Sequence, residues 1–205
     1  MPFPTYAAST ELDAVNQILS SVGQAPVTTL DLQNPEVAIV LKTLREVNTQ
    51  VQAEGWTFNT ERHYEMTPDS ITKQIPIPAN MLQLDEHRPT HKNKYDLVRR
   101  DGKLYDRLNH TYTFDDPVEV DVVWYFEFTD IPPAFQSYIT ARAARLCATK
   151  MVGDRELNQL LAEQEGLTKA AIVEYECNQG DYSMFGFDDG KEYYNSYQPF
   201  QALMR

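Results

Sequence analysis

With 205 residues, 42% of them hydrophobic and 23% charged, the chain is long enough to bury a substantial core in one large domain or two small ones. It carries 30 acidic against 18 basic side chains, a formal charge of -12, which argues against a free-standing duplex-DNA binder, because phosphate neutralisation supplies most of such a protein's affinity. No apolar run approaches the ~20 residues of a membrane span. Residues 1–8 lack the basic start and apolar core of a signal peptide, so synthesis and folding in a reducing cytoplasm are expected.

Thr10 is a favourable N-cap, followed by Glu11 and Asp13 in the first turn, where carboxylates suit the positive helix end. Leu12, Val15, Ile18, Leu19 and Val22 repeat at helical spacing, and Gly23 ends the segment. Asn34 caps a second helix with Pro35 at its first position, where the missing N–H costs nothing. Val37, Val40, Leu41, Leu44, Val47 and Val51 form its apolar stripe, and Lys42, Arg45, Asn48, Gln52 and Glu54 are assigned to its polar face. Each helix has one apolar stripe, so the pair needs further structure to cover it. Trp56 and Phe58 follow directly and read as an aromatic plug over the base of the helices.

From Tyr64 the period changes. Pro68, Pro76, Pro78 and Pro89 exclude a long helix. Residues 73–77 read as a short edge strand, where proline is tolerated. Asp101-Gly102, between apolar segments, fits a type I′ hairpin turn. Residues 118–128 alternate, with Val118, Val120, Val122, Trp124, Phe126 and Phe128 on one face. The spacing predicts four to six strands in a small antiparallel sheet or barrel.

Pro132 and Pro133 mark the return to helix. Phe135, Tyr138, Ile139, Ala143, Leu146, Cys147 and Met151 form one side of a third helix, with small residues permitting close approach. Gly153 ends it and Asp154 caps a fourth, whose stripe is Leu157, Leu160, Leu161, Gln164, Leu167, Ala171 and Tyr175, with Gly166 inside. Cys147 and Cys177 read as small buried apolar residues. The predicted class is α+β: a discontinuous four-helix bundle (residues 1–60 and 131–180), an inserted antiparallel β domain (61–130) and an extended tail (181–205). The tail's Tyr182, Phe185, Phe187, Tyr193, Tyr194, Tyr197 and Phe200 lack helical period; aromatics in a polar segment are characteristic interface anchors.

Catalytic patterns are sparse. His87 and His91 have metal-ligand spacing only on a helix, which Pro89 opposes; His63 and His110 stand apart. No phosphate-binding Gly-rich loop and no nucleophile elbow is present. No metal, cofactor or catalytic residue is assigned. Asp115-Asp116, Asp188-Asp189 and Glu174/Glu176 offer paired acids, the only basis for a glycan-hydrolysing alternative, although such pairs at turns and tails are usually solvated. Arg88, Lys92, Lys94, Arg99, Arg100, Lys103 and Arg107 cluster in the β insert, diluted by Asp96, Asp101 and Asp106. By contrast, residues 1–60 carry only Lys42 and Arg45 against Glu11, Asp13, Asp31, Glu36, Glu46 and Glu54. Arg142 and Arg145 are candidates to meet such an acidic face on a neighbour.

The run from Glu11 through Val27, with Glu11-Leu12-Asp13-Ala14-Val15-Asn16, Ile18-Leu19 and Gly23-Gln24-Ala25-Pro26-Val27, resembles the N-terminal signature of the tail tubular protein A family of T7-like short-tailed phages. Gly55-Trp56-Thr57-Phe58-Asn59 resembles its second signature. Pro132-Pro133-Ala134-Phe135-Gln136-Ser137-Tyr138-Ile139 and Glu174-Tyr175-Glu176 match in position and type, and Tyr105-Asp106-Arg107 is the similar segment of the middle. The resemblance implies a structural virion protein: a ring, twelve-fold by similarity, between the portal and the tail nozzle, docking tail fibres and passing DNA through its lumen. It implies that the tail aromatics, with Arg142 and Arg145, serve portal or subunit contacts, and that Arg99, Arg100, Lys103 and Arg107 face nozzle and fibres.

Overall fold

The computed structural model describes residues 9–86 and 94–180. Four helices and two antiparallel sheets give a mixed α+β fold. The helices are α1 (Glu11–Ser21), α2 (Pro35–Gln52), α3 (Pro133–Met151) and α4 (Arg155–Gln179). Between α2 and α3 lie β1 (Thr60–Met66), β2 (Met81–Glu86), β3 (Leu97–Arg100), β4 (Lys103–Asp106) and β5 (Val118–Trp124).

The caps explain where the helices start. Thr10 and Asp13 form a reciprocal capping box: the Asp13 N–H donates to Thr10 Oγ1 at 3.2 Å, and the Thr10 N–H donates to Asp13 Oδ2 at 3.0 Å. Asn34 Oδ1 accepts from the Glu36 N–H at 3.0 Å, and Asp154 Oδ1 from the Glu156 N–H at 2.9 Å. Helix α3 is the hub. It packs against α1, α2 and α4, whereas α4 packs chiefly on α3. Ala141, Ala143, Ala144 and Ala148 are all buried, so α3 can be approached from several sides. Val15, Ile18, Leu19, Val40, Leu44, Val47, Phe135, Ile139 and Ile172 share one apolar cluster.

A second cluster, built from Met66, Ile75, Ile77, Met81, Leu97, Leu104, Phe114, Val118, Val120 and Val122, lies in the β insert. Its three-stranded sheet has the order β1-β5-β2, and β3-β4 form a separate hairpin. Strand β5 is central, pairing antiparallel with β1 (Met66 opposite Val118) and with β2 (Glu86 opposite Val120). A bulge between Glu61 and Tyr64 leaves His63 at φ 57. Asp101 and Gly102 take positive φ, 52 and 69, and connect Arg100 to Lys103 as the expected two-residue turn.

Five expectations are corrected by the packing. Asn48 and Gln52, placed on the polar face of α2, are buried, because both are needed to bond segments arriving from the insert. Strand β5 ends at Trp124 rather than 128: Phe126 is partly exposed, and Phe128 joins the helical core. Residues 73–77 form isolated bridges, Gln74 to Thr113 and Pro76 to Lys103, rather than a continuous strand. The stripe of α4 divides, with Leu161 buried and Leu160 and Leu167 exposed, since α4 has only one close helical neighbour. Cys147 is buried, but Cys177 is exposed on the outer side of α4.

Candidate functional site

The most densely bonded region is the junction where helix passes into sheet and back. Gln52, fully buried on the last turn of α2, clamps the backbone of Phe126 beyond β5. Its Nε2 donates to the Phe126 carbonyl at 2.9 Å, and its Oε1 accepts from the Phe126 N–H at 2.8 Å. The same Nε2 donates to Asn48 Oδ1 at 2.8 Å. Asn59 repeats the device seven residues on: its Nδ2 donates to the carbonyls of Gln52 and Trp124, each at 2.9 Å, while Oδ1 accepts from the Trp56 N–H at 2.8 Å. Gly55, at φ 76, makes the bend between them, and a Cβ there would meet Val123 Cγ2 at 3.4 Å.

The last turn of α4 locks this turn. Both carboxylate oxygens of Glu176 on α4 accept from the Thr57 N–H at 3.1 Å, and Oε1 also accepts from the Thr57 hydroxyl at 2.5 Å. Beneath it, Phe135 is ringed by aromatics: Trp56 at 5.0 Å, Phe58 at 4.7 Å and Tyr175 at 5.8 Å between ring centroids. The Trp56 indole donates to the Val51 carbonyl at 2.7 Å. A buried network whose members are all bonded fixes one arrangement, because each lost partner leaves a polar group stranded. The helical part and the β insert are thereby joined from three segments distant in sequence.

On the β hairpin, most of the cations have local partners. Arg99 donates to the Met81 carbonyl at 3.1 Å, Lys103 to Gln74 Oε1 at 2.7 Å, and Arg107 pairs with Asp96. Arg100 lies 4.4 Å over the Tyr105 ring, which contacts Tyr112. These residues lie on or beside the β3–β4 hairpin, their charge partly balanced. Arg88, Lys92, His87 and His91 lie outside the described residues.

Below the hairpin, Asp106 is fully buried and accepts from the N–H groups of Asp96 and Leu108 and from Asn109 Nδ2. Burial pushes its carboxyl up, but these donors outweigh burial and hold it below the ordinary carboxylate range. A depressed folded value stabilises the protein above the unfolded value near 3.9 and ceases to do so as pH falls through the folded one. Asp106→Asn is therefore expected to melt below wild type at pH 7, with the gap closing as pH is lowered below about 4. Thermal melts of both proteins across that range check it.

Arg142 and Arg145 brace α3 within its own chain. Arg142 Nη1 lies 3.5 Å from Glu54 Oε1, and Arg145 Nε lies 2.7 Å from Glu165 Oε2, a close ion pair rather than an aligned hydrogen bond. The tail residues Tyr182, Phe185, Phe187, Tyr193, Tyr194, Tyr197 and Phe200 lie outside the described residues, as do Asp188 and Asp189. Of the remaining acid pairs, Asp115 and Asp116 are exposed at a turn, and Glu176 is committed to Thr57. Among the described residues, no cluster of three or more His, Cys, Asp or Glu side chains is arranged to hold a metal, and no helix is long and apolar enough to cross a membrane.

Sequence reasoning missed Gln52, Asn59 and Glu176 as a unit. The second signature contained Asn59, but nothing local shows that residues 119 positions apart, Thr57 and Glu176, bond each other.

Comparison with known proteins reaches most of this architecture. A family model described as tail tubular protein matches residues 12–182. The chain is 28% identical over 171 residues to the tail tubular protein A of Klebsiella phage KP34, an alignment spanning 82% of this chain and 88% of that protein.

Proposed function

The chain belongs to the tail tubular protein family of phage tail structural proteins, and from that premise we propose that it is the ring-forming adaptor of a short non-contractile tail. In this reading residues 1–60 and 131–180 form the helical body, a four-helix bundle interrupted by the β domain of residues 61–130. Twelve copies close a ring between portal and nozzle. The ring holds the packaged genome and passes DNA at ejection without sequence-specific contacts. The acidic balance of the chain suits a lumen to which DNA must not adhere.

The observation that carries the proposal is the junction. An adaptor must present different surfaces to different neighbours and hold them in one relation. The Gln52 and Asn59 bonds tie the helical part to the insert at fixed points, and Glu176 ties α4 to the turn between them. We assign the insert, with Arg99, Arg100, Lys103 and Arg107 on or beside its β3–β4 hairpin, to nozzle and fibres. The tail, residues 181–205, is assigned to the portal through its aromatic anchors. Arg142 and Arg145 sit at the subunit boundary as braces, since each guanidinium has five N–H donors and its internal pair leaves some for a neighbour.

Electron microscopy of the purified protein mixed with its portal tests the reading. The full chain is expected to form closed rings on the portal. A chain lacking residues 181–205 is expected to keep the far-ultraviolet circular dichroism of a folded protein yet fail to join the portal. A full chain that never associates with the portal overturns the adaptor role, and a truncated chain that joins it normally overturns the role of the tail.

A further inference from the structure

We infer that the outer face of α4 in one copy packs into the groove along α2 of a second copy, head to tail. The inference rests on the ring reading and assigns its subunit interface. Leu160 and Leu167 are 65% and 75% exposed, unusual for leucines seven residues apart on one helix. At 3.6 residues per turn, Ala171 continues their line, and Glu156, Glu163 and Glu174 flank it. The result is an apolar ridge with an acidic margin and no basic residue on that face. The apolar line from Leu160 to Ala171 runs for about 17 Å, and its acidic margin from Glu156 to Glu174 for about 27 Å, at 1.5 Å per residue.

Its complement lies across α3. An open groove of about 360 Å³ follows α2 and is lined by Leu32, Ala38, Leu41, Lys42, Arg45, Glu46 and Thr49. Leu32 is 65% exposed, and Ala38 gives room for a larger side chain. Lys42 and Arg45 are the two basic residues of the first 60, and both line this groove. Lys42 reaches Glu46 only at 3.9 Å and is 78% exposed; Arg45 is bonded to Glu11 at 2.8 Å. Lys42 is thus the cation best placed to meet an acidic margin. Because α4 packs chiefly on α3, and α3 separates it from α2, ridge and groove occupy different flanks of one subunit. Two different patches that match each other generate a heterologous contact, which yields a ring where its rotation closes and an open filament where it does not.

Cysteine cross-linking between copies tests this. In a Cys177→Ser background, one chain carries Leu160→Cys or Leu167→Cys, and a second chain carries Ala38→Cys or Thr49→Cys. Mixed and mildly oxidised, the two chains are expected to form a disulfide-linked pair in at least one combination. Separately, the double variant Leu160→Arg/Leu167→Arg is expected to raise the protein concentration needed for assembly by roughly ten-fold or more, as removal of central interface anchors does. Glu163→Lys should weaken assembly, and Lys42→Glu in the same chain should restore part of it. If wild type forms no closed oligomer, the ring reading fails and takes this interface with it. If rings form but no combination cross-links and the double arginine variant assembles normally, the ring stands and the interface assigned here is wrong.

Discussion

Gln52→Leu is expected to lower the unfolding free energy by about 3 kcal/mol, the low end of one to three kcal/mol for each of three polar groups left without a partner, since Phe126 is partly exposed. Leucine fills much of the same volume, so little of the loss comes from a cavity. The cost lies in the Phe126 N–H and carbonyl, which lose both of their partners, and in Asn48 Oδ1, which loses a donor. Gln52→Glu separates this explanation from a steric one. The carboxylate still accepts from the Phe126 N–H, but it cannot donate to the Phe126 carbonyl or to Asn48, and it places a charge where burial is complete. It is expected to be at least as damaging as leucine. Urea unfolding followed by tryptophan fluorescence is the measurement, because Trp56 and Trp124 flank the junction. In the variants, loss of coupling should also separate the transitions of the helical part and the insert. A single unshifted transition would show that water replaces the side chain at no cost.

Phe135→Ala is the second large effect, about 3–5 kcal/mol for a large ring deleted from a closed core. Phe135 is fully buried, and three other rings lean on it, two at edge-to-face angles of 67° and 88°. Those rings come from the turn after α2 and from α4, so the cavity would loosen the same connection that Gln52 secures from the polar side. Phe135→Leu should cost about half as much, since most of the volume remains. Equal losses for leucine and alanine would point to the aromatic geometry rather than volume as the decisive term. If the chain is the ring adaptor proposed above, both variants should impair ring formation at temperatures where each subunit remains folded, because an adaptor whose two halves move independently presents no fixed surface.

The helices were legible because their signals are local. The Thr10–Asp13 box, Asn34 with Pro35, and Asp154 each act within one turn. The Asp101-Gly102 hairpin was legible for the same reason. What failed depended on which neighbour arrives. Alternation from Val118 to Phe128 continues in composition, yet Phe128 enters a different core from Val122. Gln52 is polar by type and buried by circumstance, since its partner is 74 residues away. Leu160 and Leu161 look equivalent to a periodic pattern, and only the position of α3 distinguishes them. For the candidate site, the aromatic part of the junction was readable in Trp56 and Phe58, whereas the Glu176 lock was not, because nothing near Glu176 announces Thr57.

The hub position of α3 also sets a problem of timing. Helices α1 and α2 expose their apolar stripes as soon as they leave the ribosome, but the helix that covers them starts at Pro133, 81 residues after Gln52. At roughly 5–20 residues per second, that interval lasts about 4–16 s. Throughout it the nascent chain carries an uncovered pair of amphipathic helices while the insert is still being made. Slow translation through the insert would therefore lower the yield of folded subunit more than an equal delay placed within α4.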